Sequence, residues 1–228
     1  MKKHFPLVVK ITLFSVYLIF LAGSVVRMTG SGMGCPDWPK CFGYLIPPTS
    51  EEEITWQPNF EYNKGVIIVK DDMLFVAEHK VKTTTDFNPK NWKKYTKHTY
   101  AKFNKYHTWT EYINRLTSAL AGIPFLLLVI FSTKFWKEKK GITLLSFGAF
   151  LLMLFEAWLG KTVVDTNLKP TVITIHMVVG LVIIALLLWL LFMVTERKKT
   201  YQYNALFNKL LIAVVTNKQF SGEYTLLP

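Results

Sequence analysis

Cysteine is all but missing from this chain: there are two, Cys35 and Cys41, and both fall in one short stretch. A quinone-linked thiol–disulfide oxidoreductase draws on a Cys-x-x-Cys pair and a second pair to relay electrons. One pair, with five residues between its members, suits a structural clip better, so that chemistry stands as a rival reading. The spacing leaves both a disulfide and two free thiols open, and a cysteine pair in a loop fits an oxidising compartment. Acidic residues are also few, 15 Asp and Glu against 27 Lys and Arg, for a formal charge of +12. A surplus of that sign raises nucleic acid as a partner. The placement of the cations argues against it: Lys134, Lys137, Lys139 and Lys140 sit between apolar runs, and Arg197, Lys198 and Lys199 follow another. Short basic loops of this kind orient membrane helices.

What is plentiful is apolar length, with 51% of 228 residues hydrophobic and gathered in long runs. The first run, about Phe5 to Val26, is long enough to span a hydrocarbon core with some tilt. Lys2, Lys3 and Lys10 put its N-terminus inside, and the competing reading, a signal peptide cut near Ala22-Gly23-Ser24, needs a shorter core. Residues 28–110 are polar, with Pro47-Pro48, the acidic run Glu51 to Glu53 and many lysines. Within them, two β-branched runs around Lys70-Asp71-Asp72 predict a β-hairpin. Further spans are predicted from about Glu111 to Phe131, bent at Gly122 and Pro124, from Ile142 to Val163, and from Thr171 to the basic group at Arg197. A fifth apolar stretch, Ala205 to Thr216, covers only about 18 Å of a core of about 30 Å. No internal repeat is visible. The fold class is therefore an all-α membrane protein: a four-helix transmembrane bundle plus a partial fifth helix, with a long outer loop containing a small hairpin. The divisions are 1–27, the outer loop 28–110, spans two to four over 111–200, and the fifth stretch with its tail over 201–228.

Ionisable groups at membrane depth are costly, which makes each a functional candidate. Glu111, Asn114 and Arg115 share one helical face at the outer start of span two, with His107 one turn before. His176 lies near the outer start of span four. Spans two and four, taken as neighbours, thus offer polar groups at one depth, suited to grip a flat macrocycle with imidazole on its iron and Arg on its propionates. The plainer readings are a hydrogen-bonded packing histidine for His176 and an interfacial cap for the other three. Glu156, in the outer half of span three with Gly160 and Lys161 beyond it, is a buried acid or a neutral packing residue. Trp92, Trp109 and Trp158 read as interface anchors. His4, His79 and His98 receive no role.

The stretch 23–41 organises the rest: an apolar segment turns at Gly30, Gly32 and Gly34 and closes with Cys35 and Cys41, stiffened by Pro36 and Pro39. Gly-Ser-Val-Val-Arg-Met-Thr-Gly-Ser-Gly (23–32), Cys-Pro-Asp-Trp-Pro-Lys-Cys (35–41), Glu-Tyr-Ile-Asn-Arg (111–115) and Thr-Ile-His-Met-Val-Val-Gly (174–180) together resemble haem A synthase over about residues 11–195. The resemblance implies two similar four-helix halves, each with a haem site, and oxidation of a ring methyl of haem O to the formyl of haem A for terminal oxidases. It makes Glu111 the catalytic acid with Arg115 beside it, His176 the haem-iron ligand and Cys35 and Cys41 the paired outer-loop cysteines. Arg27, Asn114 and His107 join the haem-binding set. The chain departs from the family at Asn114, where the motif has histidine and an amide is a poor iron ligand. It also carries only the first half and a stub of helix five, so haem b is expected in the missing half. That implies a truncated product or a chain that pairs with a second copy or a complementing half. The resemblance further implies an inner-membrane location with the N-terminus cytoplasmic, lipid and haem O as partners, and haem O synthase as a supplier. The competing functions are a b-type haem-binding membrane protein without chemistry and the thiol–disulfide oxidoreductase above.

Overall fold

In a computed structural model, the structure describes residues 2–71, 73–96, 103–195 and 209. The fifth apolar stretch, the tail and His98 lie outside the described residues, apart from Lys209. Four long helices carry the fold, α1 (Phe5–Met28), α2 (Lys105–Ser132), α3 (Lys140–Asp165) and α4 (Pro170–Val194). Each is long and apolar enough to cross a membrane. The chain is a multi-pass membrane protein, and its helices are apolar on their outer faces: Phe14, Leu21, Ile123, Phe147, Trp189 and Phe192 are exposed. Such surfaces are tolerated where lipid, not water, is the solvent.

The helices form a ring: α1 packs on α2 and α4, and α3 packs on α2 and α4. The expectation that the second and fourth spans are neighbours is corrected here, because they lie diagonally across the ring. With no hydrophobic drive between helices in lipid, interhelical polar contacts count. The buried Thr12 hydroxyl of α1 donates to the Pro124 carbonyl of α2 at 3.2 Å, and the Thr143 hydroxyl of α3 donates to the Ser132 carbonyl at 2.7 Å. The contiguous buried apolar cluster draws on Phe5 to Val16, Ala121 to Leu128, Ile142 to Met153 and Ile183 to Leu190. It therefore fills the half of the bundle remote from the α1–α2 loop. In the other half no such cluster forms among the described residues; Val26, Leu159 and Val164 are buried there one by one.

The loop between α1 and α2 is a folded subdomain. The hairpin is present, with β2 (Ile67–Lys70) paired antiparallel to β3 (Met73–Ala77) and Lys70 opposite Met73 across the turn at Asp71. Three further strands were not anticipated: β1 (Glu61–Tyr62) pairs with β4 (Val81–Lys82), and β5 (Trp92–Lys94) pairs with β3. Strands of two or three residues are too short for their periodicity to be legible. Alternate side chains of a strand point to opposite faces, and in β2 both faces are covered. Ile67 joins Cys35, Cys41, Phe42, Ile54 and Leu74, whereas Ile68 joins Tyr62, Val66, Ala77, Val81 and Trp92. That is why the run 66–69 is apolar without alternation. Trp92, expected at the membrane interface, is 7% exposed and rests against Tyr62 and Phe87 in this core. Trp158 is exposed on α3 and stacks on Phe155, and Trp109 meets Tyr112 edge-on.

Candidate functional site

Glycine sets how the cap meets the helices. Gly30 takes the left-handed conformation (φ 68°) that ends α1, with the Ser31 N–H returning to the Val26 carbonyl at 2.9 Å. Gly34 is needed for a different reason. A Cβ there would lie 2.7 Å from the Thr108 nitrogen and press on the His107 carbonyl, so only glycine admits the α2 backbone at this point. Cys35 and Cys41 are joined in a disulfide, which settles the choice left open by their spacing.

Below that disulfide loop stands the first polar cluster. The Asn104 side chain caps α2 by accepting from the Tyr106 and His107 N–H groups, so the helix begins at Lys105 and not near Glu111. His107 is consequently inside the helix. Glu111 is 3% exposed. Its Oε2 accepts the Cys35 N–H at 2.9 Å, and its Oε1 pairs with the Arg115 guanidinium one turn on. Arg115 Nη1 donates in turn to the Asp37 carbonyl at 2.7 Å and the Lys40 carbonyl at 2.9 Å. The Thr108 hydroxyl donates to the Gly34 carbonyl at 2.8 Å. A tight loop has few backbone partners of its own, and a buried ion pair needs its spare hydrogen-bonding capacity used. Each supplies what the other lacks. The Asp37 carboxyl accepts the Gly43 N–H at 2.9 Å, and burial pushes it above the usual carboxylate range.

Tyr95, from the segment after β5, donates its hydroxyl to the Pro36 carbonyl at 2.6 Å and ties the subdomain to the cap. Burial, with the nearby Asp37 and Asp165 charges adding to it, pushes its phenol up to about 12. The folded state therefore holds this proton more tightly than the unfolded chain, whose tyrosines titrate near 10. The stabilisation is complete below about pH 10 and is lost as the pH rises towards 12. A difference titration at 295 nm between the parent and Tyr95→Phe is expected to isolate one tyrosine that ionises near 12; a midpoint near 10 would refute it.

The second cluster lies between α3 and α4. His176 Nδ1 is 3.0 Å from Glu156 Oε1, at ion-pair distance though without in-line hydrogen-bond geometry, and the two side chains are 35% and 19% exposed. Gly160 faces the imidazole: a Cβ there would lie 3.7 Å from His176 Cε1. Gly180 is packed closer, since its Cβ would meet Phe20 of α1 at 2.8 Å and Glu156 Oε1 at 3.2 Å. Lys161 turns away to Asp165 at 3.1 Å. Near this level, Arg27 Nη1 of α1 donates to the Met177 sulfur at 2.7 Å, and Asn114 of α2 faces Gly23 of α1, its Oδ1 buried without a partner among the described residues.

The sequence-predicted residues thus separate into two groups. Glu111 and Arg115 are brought together with the cap, and His176 with Glu156; no hydrogen bond or ion pair joins the groups among the described residues, and α1 meets α2 through Gly23 beside Asn114 and α4 through Phe20 beside Gly180 and Arg27 on Met177. Sequence reasoning missed Gly180, Phe20, Asp37, Tyr95 and Thr108. Gly180, four residues after His176 and so on its helical face, carried a usable signal, as did the helix-capping Asn104.

Comparison with known proteins follows the same outline. The family model described as Cytochrome oxidase assembly protein matches residues 7–88 and 65–222. A protein of Shewanella oneidensis named Heme A synthase is 26% identical over 217 residues, 95% of this chain and 54% of its own length. Proteins of the same name from Alkalihalophilus pseudofirmus and Bacillus cereus strain AH187 are 24% and 23% identical, over 77% and 86% of this chain and 41% and 46% of their own lengths. The chain spans about half the length of the curated relatives it matches. No solved structure matches.

Proposed function

The chain belongs to the cytochrome oxidase assembly protein family, and from that premise we propose that it is a haem A synthase-like membrane oxidoreductase. Its substrate is haem O, its product haem A, and its reaction the oxidation of a ring methyl to a formyl group. The observation that carries this reading is the division of the bundle. One half is filled by a buried apolar cluster, while the cap half holds His176, Glu156, Asn114 and three close glycines.

The residues fit a haem group. Asn114 Oδ1 is a buried polar atom without a partner among the described residues, which points to a ligand beside it. His176 offers imidazole as an iron ligand through Nε2 while Nδ1 faces Glu156. Arg27, exposed at the cap end of α1, has a weak sulfur acceptor as its hydrogen-bond partner among the described residues and is the cation for a propionate. Haem supplies the iron and conjugated ring on which the oxidation depends. The chain's own part is to bind, orient and exclude water. The disulfide cap closes the outer end, Glu111 is the acid proposed to act at the substrate's edge, and Arg115 fixes its carboxylate in place. His107, inside α2 two turns before Asn114, is the imidazole offered where the amide cannot ligate.

We place the protein in the inner membrane, N-terminus inside and subdomain outside, because Lys2, Lys3, Lys134, Lys137 and Lys140 all fall at the end of the bundle away from the cap. Lipid surrounds it, and haem O synthase is the partner that delivers substrate. Pigment extraction from cells making the chain together with haem O synthase tests the proposal. Haem A is expected to accumulate, and His176→Ala to leave haem O alone with the haem absorbance band of the purified protein lost. Equal haem A with and without the chain would refute the assignment.

A further inference from the structure

Glu156 has been given no role of its own, and its position is specific. α3 and α4 run antiparallel, so Gly160 lies opposite His176 and Glu156 opposite Gly180. The carboxylate is seated on α4 because Gly180 has no side chain there: a Cβ would come within 3.2 Å of Oε1. The same oxygen lies 3.0 Å from His176 Nδ1, and Oε2 has no partner among the described residues. A carboxylate at membrane depth is costly without a partner, and the imidazole is the one given to it. Imidazoles that bind metals usually donate their second N–H to a carboxylate, carbonyl or water, which fixes the tautomer and raises the basicity of the ligating nitrogen.

We propose that Glu156 is the positioning residue for His176, holding the imidazole by Nδ1–H so that Nε2 is presented to haem iron as a strong donor. The inference rests on His176 being the ligand. In this role Glu156 acts on the iron through the imidazole. An anionic acceptor behind the imidazole favours ferric over ferrous iron, so the charge is read in the midpoint potential and the acceptor in the affinity.

The test uses the full chain in detergent, titrated with hemin, and compares Glu156→Gln, Glu156→Leu and His176→Ala. Glu156→Leu removes acceptor and charge and is expected to weaken hemin binding by about 10–100-fold. Glu156→Gln keeps an acceptor, so its affinity stays near the parent's while the midpoint potential of the bound haem rises. Circular dichroism and gel filtration identify any variant that fails to fold; if Glu156→Leu does, the potential of Glu156→Gln decides alone. A parent-like potential in Glu156→Gln, or parent-like affinity in a folded Glu156→Leu, overturns the proposal. If either occurs while His176→Ala still abolishes binding, the ligand assignment survives and only the role of Glu156 falls. Hemin binding that persists in His176→Ala removes both.

Discussion

Glu111→Ala is expected to destabilise the protein by about 3–5 kcal/mol, the cost of removing one partner from a buried ion pair. The carboxylate is 3% exposed and is shared between the Arg115 guanidinium and the Cys35 N–H. Its loss strands a cation and a backbone donor in one step. At about 2–4 °C per kcal/mol for a chain of this size, the melting midpoint in detergent falls by on the order of 10 °C. Arg115→Ala should cost a similar amount, because the carbonyls of Asp37 and Lys40 lose their donor as well. The decisive measurement is the double variant. Residues in one network are not additive, so Glu111→Ala with Arg115→Ala should cost clearly less than the two single effects summed. Strict additivity would mean that the pair does not hold the cap.

The second large effect is Gly34→Ala. A single methyl there meets backbone, not a flexible side chain: the Thr108 nitrogen at 2.7 Å and the His107 carbonyl. Backbone in a helix cannot turn aside, so the cap must lift. Overpacking alone costs about 1–3 kcal/mol. The displacement also stretches the Thr108–Gly34 and Glu111–Cys35 hydrogen bonds, so the loss should reach the upper end of that range. Two readouts are expected to move together, a lower melting midpoint and faster reduction of the Cys35–Cys41 disulfide by an added thiol. Gly122→Ala is the control. It lies inside α2 with open space around it and should be neutral or stabilising by up to about 1 kcal/mol. Equal behaviour of the two variants would show that the close approach at Gly34 is not required.

Much of the membrane half was legible because hydropathy and charge act locally. A run of apolar residues longer than the hydrocarbon core, bounded by lysines, has one economical conformation in lipid. The four helices accordingly match the predicted spans to within a few residues, except at the start of α2. There the first two turns are polar and the cap at Asn104 outweighs hydropathy. The subdomain was less legible. Its hairpin has enough β-branched length to be seen, but β1, β4 and β5 exist only because Tyr62, Val81 and Trp92 complete a core assembled from distant segments.

By itself, the sequence determined that this chain spans a membrane several times and that Glu111, Arg115 and His176 stand near one end of the bundle. Tertiary structure alone decided their partners. Helical periodicity places a residue on a face but does not say which helix that face will meet. The ring order, fixed by packing among four apolar surfaces of similar composition, sent Glu111 and Arg115 to the cap and His176 to Glu156.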